Sequence, residues 1–230
     1  MHMHMMRAVS AVFAVLLMVW GESAYSQEES PGPAADTASH EIFGGLYLLG
    51  SLAKNHNLNV GGEALPQTTV RDGAGGGIHA GVFPAFTHRI VGIRAEMFGL
   101  GSEITAPQSS GSGGIQSGRG TMLAWNTLVS LVVRYPGEQL QPYIGAGVGW
   151  SSSLLVGSEL MRGSTIQSGI ARDMSFAYQY FAGLRMNLTA RTFLFGEYKF
   201  FGSRFHWSGN LQPALDFRTQ IVALGAGLSF

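Results

Sequence analysis

Thr121-Met122-Leu123-Ala124-Trp125-Asn126-Thr127-Leu128-Val129-Ser130-Leu131-Val132-Val133-Arg134-Tyr135 decides the fold of this 230-residue chain. Leu123, Trp125, Thr127, Val129, Leu131, Val133 and Tyr135 fall on alternate positions, and Ala124, Asn126, Ser130 and Arg134 take the places between. A period of two places the first set on one face of an extended strand and the second on the other. The same alternation runs through the sixth such segment, where Phe176, Tyr178, Tyr180, Ala182, Leu184, Met186 and Leu188 oppose Gln179, Gly183, Arg185 and Asn187. No 3.6-residue period occurs after residue 21, so the chain reads as all-β.

Working outward, strands are expected at about 41–52, 74–84, 89–101, 121–135, 140–151, 174–188, 192–202 and 217–230. Each is long enough for the ~9–11 tilted residues that carry a β-strand across a bilayer. The connections alternate in length. Residues 53–73, 102–120, 152–173 and 203–216 are long, whereas the turns around Pro84–His88, Pro136–Gln139 and Thr189–Arg191 are short. Outer-membrane barrels keep short periplasmic turns at one end and longer extracellular loops at the other. The expectation is an eight-stranded antiparallel up-and-down transmembrane β-barrel over residues 41–230, with both termini periplasmic. Its competitor is a soluble ligand-binding barrel, whose apolar face would point inward.

The N-terminal segment and the aromatic residues favour the membrane. Arg7 precedes an apolar run from Ala8 to Gly21, too short to span as a helix but suited to the core of a secretory signal. Ala24-Tyr25-Ser26 supplies the small residues of a cleavage site, so residues 1–26 are expected to be a signal peptide. Residues 27–40, rich in Pro, Ala, Glu and Ser, read as a disordered arm. Trp125, Trp150, Phe176 and Tyr178 would lie near extracellular strand ends, and Tyr135 and Phe230 near periplasmic ones, as two aromatic belts.

Composition narrows the function. Fourteen basic residues balance fourteen acidic ones, which leaves no basic footprint for nucleic acid, and the absence of cysteine removes thiolate chemistry. Glycine accounts for 33 residues. Those on lumenal faces (Gly75, Gly77, Gly81) are expected to make room for long charged side chains, since an eight-stranded barrel is only wide enough to be filled by side chains. Ser- and Gly-rich 108–114 lacks the Lys and following helix of a phosphate loop, and neither EF-hand spacing nor a histidine triad suggests a metal. No cofactor is expected.

Gln141-Pro142-Tyr143-Ile144-Gly145-Ala146-Gly147-Val148-Gly149-Trp150, Glu197-Tyr198-Lys199-Phe200 and Ile221-Val222-Ala223-Leu224-Gly225-Ala226-Gly227-Leu228-Ser229-Phe230 resemble, in order, strands of the OmpA-like or opacity-type eight-stranded outer-membrane barrels. The resemblance covers residues 41–230. It implies residence in a Gram-negative-type outer membrane and contact with lipid and lipopolysaccharide, with a monomer expected. The chain departs from the larger OmpA-like proteins by ending at the barrel, so no C-terminal peptidoglycan-binding domain is expected. It also implies assembly by the barrel-insertion machinery, which would read Val222, Leu224, Ala226, Leu228 and Phe230 as the insertion signal.

His79, Arg94, Glu96, Arg185, Glu197 and Lys199 are expected in the lumen at similar heights, with Arg94 and Glu96 facing Glu197 and Lys199. Burial makes such pairing close to obligatory. The main functional expectation is a non-enzymatic barrel with a structural or surface-interaction role, binding any extracellular ligand through its loops. The alternative is a narrow small-solute channel gated by those salt bridges. A third possibility rests on His206 and Ser208, whose spacing resembles lipid A deacylases. Asn does not follow Ser208 directly, however, and the last strand offers Thr219, Gln220 and Ile221 where those enzymes carry Glu, with Asp216, expected in the loop, as a substitute.

Overall fold

A computed structural model describes residues 40–52, 54–60, 63–106, 115–162, 165–167, 171–206 and 214–230. The expected signal peptide and nearly all of the expected N-terminal arm lie outside these residues. Eight strands form the wall: Glu41–Leu52, Gly73–Phe83, Val91–Ala106, Ile115–Arg134, Leu140–Arg162, Ala171–Asn187, Thr192–His206 and Ala214–Ser229. Each pairs antiparallel with its neighbours in sequence, and the first closes on the eighth from Phe43 opposite Ser229 to Leu52 opposite Gln220. Closure leaves the wall without a free edge, the condition for crossing a bilayer with strands. Among the described residues no helix is long and apolar enough to cross a membrane.

The alternation resolves as membrane outside. Leu46, Ile78, Trp125, Ile144, Trp150, Phe176 and Leu224 are each at least 60% exposed on the outer face. So continuous an apolar surface has no place on a soluble barrel. Trp150 lies directly opposite Phe176, while Tyr135 and Phe230 stand exposed at the other end.

The extracellular connections differ from the sequence expectation. Strands three, four, five and seven run on to Ala106, from Ile115, to Arg162 and to His206, through residues assigned above to loops. The first connection is also a hairpin, Lys54–Val60 paired with Glu63–Val70, which continues strands one and two. It pairs with strand eight at Leu58 and Asn59, and with strand three at Thr69 and Val70. Beyond the lipid an antiparallel ladder needs no apolar face, so Ser-, Gly- and Thr-rich residues can continue it without an alternating pattern. At the other end the turns stay short; one holds a 3₁₀ turn, Ala85–Thr87, followed by His88 and Arg89 in left-handed conformation.

The lumen is filled mostly by rings. Phe43, Tyr47, Phe83, Phe98, Phe181, Phe193, Phe195, Phe201, Phe205 and Phe217 are all buried there. This corrects the role expected of glycine. A Cβ on Gly77 would lie 2.6 Å from the Tyr47 ring, and one on Gly81 would lie 2.5 Å from Phe43. One on Gly183 would lie 2.5 Å from Tyr143, and one on Gly225 the same distance from Phe195. At these positions glycine makes room for aromatic rings from neighbouring strands, not for charged side chains.

Candidate functional site: the lumenal charge network

Strand pairing sets the geometry. Glu96 on strand three lies beside His79 on strand two, and Glu197 on strand seven lies between Gly183 and Ala223. Glycine at Gly183 leaves the volume that the Tyr143 ring occupies. Long side chains from strands three and seven then meet across the barrel. Arg94 Nη2 stands 2.7 Å from Glu96 Oε2, and Arg94 Nη1 donates to Glu197 Oε1. Lys199 Nζ reaches Glu96 Oε1 at 2.6 Å and Glu197 Oε2 at 3.0 Å. Two cations and two carboxylates therefore form a closed ring in which each cation touches both acids. All four side chains are at most 3% exposed.

Neighbouring side chains hold the ring in place. Tyr143 Oη donates to Glu197 Oε1 at 2.7 Å. The Arg94 guanidinium lies 4.0 Å from the centre of the Phe181 ring, and Lys199 Nζ lies 4.7 Å from that of Tyr47. Such cation–π contacts gain strength where water is excluded. The ring and its aromatic neighbours Tyr47, Phe98, Tyr143 and Phe181 are all buried inside the barrel.

The other two residues expected in the network are buried inside the barrel but stand outside the ring. Arg185 belongs to a second cluster at the periplasmic mouth, where it donates to Glu41 Oε1 at 2.9 Å and to Ser229 Oγ at 2.7 Å. Arg134 holds the same Glu41 carboxylate through two bonds, of 3.1 and 2.6 Å. Arg134 and Arg185 stack over Phe83 and Phe193, each at 3.9 Å. Sequence reasoning missed Glu41 as a partner. The signal was available, because Glu41 opens strand one in the register that brings it beside Phe83 and toward the mouth. His79 is 6% exposed, and neither ring nitrogen has a hydrogen-bond partner. It packs against Phe43, Tyr47 and Phe195.

Of the His206/Ser208 pair, Ser208 lies outside the described residues. His206 donates its backbone N–H to Asp173 Oδ2 at 2.7 Å. Asp216, placed in a loop by the sequence reading, belongs to strand eight and accepts from Arg218 at 3.0 and 3.2 Å. Among the described residues no group of three His, Asp or Glu could hold a metal.

Residues 30–230 match the family described as the outer membrane protein beta-barrel domain. Comparison with curated proteins finds no match. Among solved structures, the chain is similar to Neisserial surface protein A, at 11% identity and a TM-score of 0.52, covering 84% of this chain and 99% of that one. OprG from Pseudomonas aeruginosa is similar at 12% identity and 0.53, covering 83% and 95%. AlkL, determined in lipid bilayers, is similar at 17% identity and 0.50, covering 89% and 97%. At these identities the likeness is one of fold.

Proposed function

We propose, from the premise that the chain belongs to the outer membrane protein β-barrel domain family, that it is a narrow small-solute channel of the outer membrane, gated by its lumenal salt bridges. One observation carries this reading. The ring has two neutral pairings. Arg94 with Glu197 and Lys199 with Glu96 bridge the lumen; Arg94 with Glu96 and Lys199 with Glu197 stay within one strand each. Moving from the first set to the second severs the bridge without leaving a buried charge unpaired, which is the costly event. An element with two arrangements of similar energy is what a gate requires.

Planar-bilayer recording tests it. The wild-type barrel should be closed most of the time with brief openings, and Glu197→Ala should raise the open fraction at least tenfold. A wild-type barrel that is sealed and stays sealed in Glu197→Ala sinks the gate.

A second reading is favoured by the strand extensions. Strand five continues twelve residues beyond the belt residue Trp150, to Arg162. This raises a paired wall above the lipid, a platform for interaction with an extracellular partner through residues 53–73, 102–120 and 152–173. Absence of conductance in every ring variant would leave this surface role as the better account. Either function is carried by a non-enzymatic barrel whose outer face meets lipid. In the same proposal, residues 1–26 direct export and Val222, Leu224, Ala226, Leu228 and Phe230 present the terminal strand to the insertion machinery.

A further inference from the structure

Between the charge ring and the periplasmic cluster lies a cavity of about 30 Å³, bounded by Phe43, His79, Phe83, Arg94, Val132, Arg134, Tyr143, Arg185, Phe193 and Phe195. Its lining holds three guanidiniums, an imidazole and a phenol, but no carboxylate. Polar atoms around it lack partners: Arg94 Nε and Arg134 Nε are donors without an acceptor, and neither nitrogen of His79, one of them a donor in the neutral ring, is hydrogen-bonded. A guanidinium nitrogen can only donate, so the missing partner must be an acceptor. The lumenal side chains as a set point the same way, for Arg94, Arg134, Arg185 and Lys199 face Glu41, Glu96 and Glu197. Four cations against three carboxylates leave one positive charge to be matched.

We infer that this cavity is a binding site for a small, weakly hydrated monovalent anion of halide size. A volume of about 30 Å³ is room for one such ion. Arg134 and Arg185 are each held over a ring that lines the cavity, Phe83 and Phe193. Entry is from the periplasmic mouth, where the Glu41 and Arg185 side chains are 15% and 10% exposed. The site goes beyond the gate proposal and stands without it.

The test is anomalous diffraction from the full barrel refolded and crystallised in sodium bromide. A bromide peak within hydrogen-bond reach of His79 and the guanidiniums is expected. Val132→Leu fills the cavity without touching a charge and should abolish the peak; Arg185→Gln removes the excess cation and should abolish it too. Ordered water alone in the wild-type cavity overturns the inference, as does bromide confined to surface arginines or a peak that survives in both variants. A bromide peak alongside a sealed Glu197→Ala barrel supports the anion site while sinking the gate.

Discussion

The charge ring predicts a specific pattern of stability, separate from conductance. Glu197→Gln removes the carboxylate that Arg94, Lys199 and Tyr143 all address. Glu96 then faces two cations alone, in a section where every charged side chain is at most 3% exposed. An uncompensated buried charge of this kind costs about 3–5 kcal/mol. Lys199→Met leaves the opposite imbalance, two carboxylates on Arg94, and should cost about the same. The double variant Glu197→Gln/Lys199→Met retains one neutral pair, Arg94–Glu96 at 2.7 Å. Replacing a buried pair by uncharged groups of similar volume is often close to neutral, so the double variant should cost no more than about 1–2 kcal/mol.

The two substitutions should therefore be strongly non-additive, with a coupling of at least about 3 kcal/mol. Equilibrium urea unfolding in phospholipid vesicles, followed by tryptophan fluorescence, measures it as a shift in midpoint at constant slope. Trp125 and Trp150, both outward and more than 60% exposed, report the transfer from lipid to water. Singles that cost under about 1 kcal/mol, or a double variant equal to their sum, would refute a ring held together by mutual charge compensation.

Neighbouring residues on one strand should respond very differently to truncation. Phe201, fully buried in the lumen, should lose about 3–5 kcal/mol on Phe201→Ala, whereas lipid-facing Phe200, stacked on Tyr180 at 5.7 Å, should lose only about 0.5–1.5 on Phe200→Ala. The same unfolding assay reads both. Val129→Arg, on the outer face between the belt residues Trp125 and Tyr135, should cost about 2–4 kcal/mol in bilayers; no loss there would contradict a lipid-facing wall. Gly183→Ala would force a Cβ to 2.5 Å from the Tyr143 ring and should cost about 1–3 kcal/mol, with the Tyr143–Glu197 hydrogen bond displaced. Phe230→Ala should slow assembly in cells several-fold while leaving in vitro stability nearly unchanged, as heat-modifiable gel mobility over time would show.

The sequence made the wall legible because lipid enforces a strict rule. From Leu123 to Tyr135 every second residue but Thr127 is apolar, since that face meets hydrocarbon. Beyond the belts that rule lapses. The ladders of Lys54–Val60, Glu63–Val70 and residues 152–162 carry no alternating signature, so the sequence assigns them to loops although their backbones are paired. Inside the barrel the legible part was the cross-lumen meeting of Arg94, Glu96, Glu197 and Lys199, which follows from strand position alone. Heights resolved to one residue were not. Arg185 lies two residues nearer the mouth than Gly183, which pairs with Glu197, and that step sends it to Glu41 instead of the ring. His79 has the right register beside Glu96 but is surrounded by the rings of Phe43, Tyr47 and Phe195. Period-two reasoning says which face a side chain takes, not what fills the space before it.

That filling bears on why the ring exists at all. Rings already pack most of this lumen, and nothing in the strand geometry prevents Phe, Leu or Met from completing it at Arg94, Glu96, Glu197 and Lys199. Apolar replacement of a buried ion network is commonly neutral or stabilising, by about 1–4 kcal/mol. Stability therefore does not account for four charges whose side chains are at most 3% exposed. A network with two neutral pairings has a property that an apolar plug lacks: either pairing leaves no buried charge without a partner. Substituting all four positions with apolar residues should then give a barrel at least as resistant to urea as the wild type and permanently closed in bilayer recordings. A destabilised or still-gating apolar barrel would show that the ring is structural and that conduction, if any, runs by another route.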